Sequence, residues 1–306
     1  MNIIDQQKST TIYSEFNFPH RTSSGKTFRD NECNNIISFE ACYQLKDIDF
    51  YGINSASPSD ASGRLTEKQV FNIRIANSNN IREKAESLIR KKYSWRGYSF
   101  DEQLKIESNK ITLIADTKGK TVGTMTLCLD SETGLPADEN FYAELDVLRL
   151  QGHKISEPSK LAIEANIPKR VFAAMIHVAY IYAHKIHRCT DWVIEINPRH
   201  AMFYKRMLGF NNYGEERICT RVNAPATLLK LKLEYMAEQI NRFSGLIKQN
   251  NQNNKERSFY PHFFSVWDEP TITNRLKRAY LSNHLAPYQL QEKQNVIHPG
   301  IAYMTE

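Results

Sequence analysis

Two short stretches of the sequence place side chains where they could move protons. In "EINPRHAMFYKRMLGF" (195–210), Asn197 and Pro198 start a helix and Gly209 stops it. Tyr204 is then held seven residues below the cap, on the face shared with Ala201 and Leu208. A phenol with a pKa near ~10 keeps its proton at neutral pH and can hand it to a thiolate whose conjugate acid lies near ~8.5. The competing reading of Tyr204 is an aromatic plug with its hydroxyl tied to a backbone carbonyl. In "EPSK", Glu157, Ser159 and Lys160 set a carboxylate, a hydroxyl and an ammonium on one strand-like run. Pro158 interrupts that run, which implies an edge or a bulge because proline cannot donate to the ladder. Glu157 can serve as a base or pair with Lys160, and Ser159 can orient a substrate or satisfy local backbone. His184, His187 and Cys189 lie close in sequence, but no fourth ligand has convincing spacing, so no metal is expected.

These residues need a scaffold, and the 306-residue chain is long enough for one large domain or a core with appendages. Hydrophobic residues at 41% and charged residues at 24% are ordinary for a globular protein. No apolar run reaches the ~18 residues of a membrane span, and "MNIIDQQKST" is too polar for a signal peptide, so the expected location is cytoplasmic. Five scattered cysteines without a CxxC pair fit reduced thiols. A net charge of +6 suits an acidic partner or phosphate groups and is too diffuse to argue for nucleic acid.

Regular periodicity begins at "QVFNIRIA" (69–76), which alternates as a strand does. A helix follows, with Asn79 and Asn80 as capping candidates, and then a hairpin through "KGK". The insert "ADENFYAELDVLRLQG" predicts a helix with Phe141, Leu145 and Leu148 on one face and Gly152 at its end. "IPKRVFAAMIHVAYIYAHKI" is apolar on nearly all faces and should be buried. Residues 1–68 read as an irregular arm, 69–235 as the core unit, and 236–306 as a linker, "QNNQNNK", plus an aromatic and helical extension. The core order is β-α-β-β-(insert)-β-α-β-α-β-β.

That order, together with Asn197, Ala201, Tyr204, Gly209 and Phe210, resembles the GNAT acyltransferase fold. A longer run, "GLPADENFYAELDVLRLQGHKISEPSKLAIE" followed by "VFAAMIHVAYIYA" and "INPRHAMFYKRMLGF", is similar to N-acyl amino acid synthases of the FeeM type. Those are relatives of the acyl-homoserine-lactone synthases. The resemblance implies an α/β fold with a mixed, mostly antiparallel sheet splayed between strands 4 and 5, carrying N- and C-terminal extensions. It also implies transfer of a long fatty acyl chain from acyl carrier protein to the amine of an amino acid. In that reading Tyr204 is the proton donor, Glu157 beside the splay is the base, and Ser159 assists. Lys160 and Asn197 contact substrate, Asn197 being a cap first, and Phe141, Leu145 and Leu148 line an acyl tunnel or are simply core. The oxyanion donor would be a backbone N–H near Ser159 or Lys160.

Two departures matter. Acetyl-CoA enzymes of the fold carry a glycine-rich turn whose N–H groups cradle a pyrophosphate, whereas "ANIPKRVFAAM" has no glycine. A phosphopantetheine arm needs less, and Lys169 and Arg170 could meet its phosphate or an acidic carrier-protein surface. The expected cosubstrate is therefore acyl-phosphopantetheine on acyl carrier protein, with acyl-CoA second and no bound cofactor. The synthase pattern E-x-S-R reads Glu157-Pro158-Ser159-Lys160 here, which keeps the charge and loses the planar fork of arginine. An acetyl-CoA enzyme and a catalytically silent scaffold are the rival readings. "FYPHFF" (259–264) is a candidate for peripheral membrane contact.

Overall fold

The computed structural model describes residues 35–42, 68–98, 103–246 and 258–294. The polar linker at 249–255 and most of the expected arm lie outside them. Strands β1 (Asn35–Cys42), β2 (Lys68–Ile75), β3 (Lys110–Thr117), β4 (Lys120–Leu129), β5 (Ile155–Ile163), β6 (Asp191–Ile196) and β9 (Ala224–Lys232) form the body of one sheet in the order β1-β2-β3-β4-β5-β6-β9. The short β7 (Asn211–Asn212) and β8 (Arg217–Cys219) both pair with β9. Every neighbouring pair is antiparallel except β5 and β6. β1 lies inside the segment read as an irregular arm and extends the sheet. Its Ile36 and Phe39 are buried. An eight-residue strand flanked by long polar stretches carries too little periodicity to stand out alone.

The hairpin through "KGK" is present. Lys118 and Gly119 have φ of 49° and 77°, the left-handed pair that a two-residue turn requires to match strand twist. Helix α1 (Asn79–Ser94) is capped at Ser78 rather than Asn79 or Asn80, and Asn79 instead accepts a hydrogen bond from Arg82. Helix α2 (Asp138–Leu150) is the insert, and α1 and α2 cover one face of the sheet. Helix α3 (Lys169–Tyr180) covers the other, with every residue from Val171 to Tyr180 buried, and a π-helical turn (Ile181–Ile186) continues it. An all-apolar helix must be enclosed on all sides, and the chain provides that enclosure from its C-terminal segment.

Helix α5 (Leu233–Phe243) buries Leu233, Met236 and Ile240 in the main core. Phe259, Tyr260, Phe263 and Phe264, which the sequence offered as a membrane-contact candidate, are buried in that same core. Four aromatic rings with few charges read equally well as a lipid face or a core, and only the partner α3 decides between them. His177 of α3 fixes the arrangement. Its Nδ1 accepts from the Phe264 N–H at 3.1 Å, so Nε2 carries the proton toward Glu269 Oε1, also at 3.1 Å, at the start of α6 (Glu269–Gln294).

Arg149 fastens α2 to the sheet, meeting both oxygens of Asp130 at 2.8 Å and Asp138 at 2.6 and 2.7 Å. Replacing Arg149 with alanine leaves two carboxylates facing each other, and urea unfolding is expected to show a loss of about 2–4 kcal/mol. Truncation after residue 246 uncovers the α3 face. The expected result is a lowered melting midpoint with new binding of a hydrophobic dye; an unchanged midpoint would make the segment a true appendage.

Candidate active site

Strands β5 and β6 begin paired, Ile155 opposite Asp191 and Ser156 opposite Trp192, and no register continues beyond Ser156. β5 runs on to Ile163 held only by β4. The gap expected between the fourth and fifth strands of the core is therefore present, and Glu157 stands at its apex. Asp130 N–H donates to the Ile155 carbonyl at 3.2 Å, so residues 155, 157 and 159 exchange bonds with β4. Residues 156 and 158 consequently turn toward β6. Pro158 thus has its missing N–H on the side where the neighbouring strand has left, which is why a central strand tolerates it. Ser159 faces Thr126 and Ala162 faces Thr124, leaving Lys160 and Leu161 opposite Met125 alone. This is a bulge, and Lys160 takes a φ of 50° within it. Both devices that the proline implied, edge and bulge, occur together.

Side chains alternate across the gap. Ile155 and Val193 face α2 in a cluster with Cys128, Leu135, Phe141, Leu145, Leu148 and Leu228, while Trp192 and Ile194 face α3. Glu157 belongs to the α2 face: its Oε2 accepts from the Ala137 N–H at 2.8 Å, at the start of α2. It is 3% exposed, and burial pushes its carboxyl up to about 8, against the Ala137 hydrogen bond and the charge of Arg221, which favour the ion. Ser159 shares this face, with its hydroxyl 3.8 Å from Cys128 Sγ.

Tyr204 lies on a short helix with a firm start and stop. Asn197 Oδ1 accepts from the Arg199 N–H at 3.2 Å, a 3₁₀ turn (Pro198–His200) leads into α4 (Ala201–Leu208), and Gly209 closes it at φ 87°. A Cβ on Gly209 would lie 2.4 Å from the Tyr235 ring. Tyr204 is half-buried on the α3 side, edge-on to Phe203 and Phe210 at 5.3 and 6.0 Å. Glu157 and Tyr204 therefore stand on opposite faces of the sheet, and the gap between β5 and β6 is where groups from the two faces can meet. The C-terminal segment braces α4: Phe259 N–H donates to the Met207 carbonyl at 3.0 Å and Tyr260 Oη to the Leu208 carbonyl at 2.6 Å. Those are orphan acceptors of the last helical turn. A cavity of about 450 Å³ opens beside α4 between Pro198, Ala201 and Lys205 and the facing Tyr213, Glu216 and Thr227. Tyr204 and Glu157 are not in its wall.

Phe141, Leu145 and Leu148 are fully buried and packed together as core, one of the two readings the sequence offered. Gly214 approaches Phe141 so closely that a Cβ there would lie 2.8 Å from the ring. Arg170 is turned to other work, its guanidinium 5.6 Å from the Phe39 ring centroid and within the field of Asp268. Lys169 stands at the start of α3, directly after Pro168. His184 Nδ1 donates to the Cys189 carbonyl at 2.9 Å.

The sequence reading missed Glu195, Asn140 and Arg221. Glu195 lies on β6 on the α2 face, nearly buried, accepting from Asn140 Nδ2 at 2.6 Å and from Arg221. Arg221 also meets Glu139 at 3.1 Å. The available signal was a carboxylate inside the otherwise apolar run "DWVIEI", which a buried strand does not accept without a partner.

Residues 84–232 match the family model described as N-acyl amino acid synthase FeeM. The structure of FeeM, an N-acyl amino acid synthase from uncultured soil microbes, superposes with a TM-score of 0.51 at 27% identity, covering 54% of this chain and 93% of that one. The chain is an acyltransferase of the GNAT fold. More distant matches include the AHL synthase LasI, at 15% identity, TM-score 0.37 and 54% and 91% coverage. An N-acetyltransferase from Staphylococcus aureus Mu50 matches at 13% identity, TM-score 0.36 and 54% and 98% coverage. No curated protein matches the chain in sequence. The FeeM-like segment spans β3 to β9 and contains Glu157, Glu195, Tyr204 and Arg221. No helix among the described residues is long and apolar enough to cross a membrane.

The raised pKa of Glu157 has a thermodynamic consequence. In the unfolded chain its carboxyl ionises near 4.5, while the folded protein holds the proton up to about 8. Between those values the unfolded state releases a proton that the folded state keeps. The stability this group contributes is therefore fully present below about 4.5 and is lost as pH rises to about 8. Glu157→Gln removes that dependence. The melting midpoint of the variant relative to the native protein should climb across that window, and a constant difference would show that the buried carboxyl ionises normally.

Proposed function

We propose that this acyltransferase moves a long-chain fatty acyl group from acyl carrier protein to the amine of an amino acid, giving an N-acyl amino acid. The observation that carries the reading is the gap after Ser156 with a buried, proton-retaining Glu157 on one face and Tyr204 on the other. An acceptor amine entering from the α2 side meets Glu157, and a thioester entering from the α3 side meets Tyr204. In its ionised form Glu157 takes one proton from the acceptor ammonium, becoming the neutral carboxyl that its burial favours. The neutral amine attacks the thioester carbonyl, the C–N bond forms and the C–S bond breaks with its electron pair leaving on sulfur. The second nitrogen-bound proton reaches that sulfur through Tyr204, so the products are an amide and a thiol. The peptide N–H of residue 160, at the bulge beside the gap, is the candidate donor for the developing oxyanion.

Carrier-bound pantetheine is favoured over coenzyme A by the approach to α3. The helix begins after Pro168, which contributes no N–H, and Arg170 is engaged with Phe39. A pyrophosphate would find a poor nest there, whereas a single phosphodiester needs only Lys169. The packed state of Phe141, Leu145 and Leu148 means that a fatty chain entering on that face has to part them.

Mass spectrometry of lipid extracts from cells overproducing the protein is expected to reveal new N-acyl amino acids. With purified components, acyl carrier protein thioesters should outpace the matching acyl-CoA by at least about tenfold in kcat/KM. Tyr204→Phe and Glu157→Gln should each slow turnover by at least about tenfold, within the usual range for losing a proton-transfer group. Equal use of both donors would replace the carrier protein with coenzyme A, and full activity in both variants would dismiss the site.

A further inference from the structure

Resting on that reading, we propose that Arg221 and Glu195 form the acceptor subsite and that it takes a free α-amino acid, Arg221 binding its carboxylate and Glu195 its ammonium. The two side chains are in direct contact, Arg221 Nη2 on Glu195 Oε2, on the same face of the sheet as Glu157 and within its electrostatic reach. Glu195 is only 5% exposed and is held from its other side by Asn140, whereas Arg221 is 40% exposed and so lies on the way in from solvent. A carboxylate this buried needs a cation or hydrogen-bond donors beside it, and Asn140 stays as a donor throughout. A zwitterion satisfies that requirement when it enters between the two. Its ammonium replaces the guanidinium at Glu195, the released guanidinium closes on its carboxylate through two parallel N–H donors, and no net charge is buried.

The spacing sets the chemical class. Arg221 and Glu195 touch, so the carboxylate and the ammonium they exchange for must be about one carbon apart, as in an α-amino acid. A peptide puts its carboxylate far from its amine, and a simple amine has none, so either would strand Arg221. Glu139, which lies 3.1 Å from Arg221, holds the guanidinium over the entrance when the site is empty. The same arrangement puts the bound amine beside Glu157, which has to receive its proton. Lys160, where the related synthases carry arginine, need not be the carboxylate partner. The bulge that takes it out of regular strand geometry is compatible with a backbone role there.

The test compares each of the twenty amino acids with its methyl ester as acceptor, using the full-length protein and a dodecanoyl-acyl carrier protein donor. The native enzyme is expected to prefer the acid over the ester by at least about tenfold in kcat/KM. In Arg221→Ala that ratio should fall to about one with donor KM changed less than about threefold, and Arg221→Lys should recover part of it. Glu195→Gln should raise KM for acid and ester alike and leave their ratio intact. A ratio measured within one variant does not depend on how much of the protein is folded. An unchanged ratio in Arg221→Ala, or a native enzyme that uses acids and esters equally, overturns the subsite while leaving the transfer reaction standing. A native enzyme that acylates no amino acid or ester overturns both.

Discussion

The parting of β6 from β5 after Ser156 is the constraint on which the rest of the structure depends. A sheet normally closes every ladder bond in its interior, because an unpaired buried N–H or carbonyl costs about as much as a lost hydrogen bond. This sheet leaves one ladder open for most of the length of β5. Sequence features that are unfavourable in an ordinary central strand become explicable there. Pro158 has no N–H to lose on the open side, and the bulge at Lys160 and Leu161 bends a strand that no longer has to follow a neighbour.

The opening also explains the distribution of charge. Glu157 and Glu195 would be intolerable on the inner face of a closed sheet, where two carboxylates would lie among Cys128, Val193 and Leu228. Beside the gap they acquire partners: the Ala137 N–H for Glu157, and Asn140 with Arg221 for Glu195. The partners come from the start of α2 and from the turn between β8 and β9, two segments about eighty positions apart in sequence. Arg149, Asp130 and Asp138 hold that start of α2 against the end of β4, so the carboxylates keep their donors. The strain of housing charge in the interior is thus offset locally, and what remains is the raised pKa of Glu157.

On the opposite face the C-terminal segment has become part of the support of α4. Helix α4 is only two turns long, and an isolated helix of that length is unstable in water. Asn197 secures its start and Gly209 its end, but two of its last carbonyls are taken by Phe259 and Tyr260, whose rings also pack against Phe172, Phe203 and Phe263. The orientation of Tyr204 therefore depends on chain that lies more than fifty residues downstream. His177, enclosed within α3, ties that downstream chain down through Phe264 and Glu269.

What the sequence determined by itself is local. The hairpin at Lys118-Gly119, the bracket from Asn197 to Gly209, the enclosed α3 and the irregularity at Pro158 all follow from dihedral preferences, capping and periodicity, which act over a few residues. The longer resemblance added the gap and the roles of Glu157 and Tyr204. Tertiary structure decided everything that depends on which surface meets which. "FYPHFF" became core because α3 offers it a face, Phe141, Leu145 and Leu148 became packed because Gly214 allows close approach, and Arg170 was drawn to Phe39 on a strand the periodicity did not announce. Arg221 and Glu195 are 26 positions apart, and nothing in either neighbourhood points to the other. An ion pair across a loop has no periodicity to betray it, so only folding brings it into view.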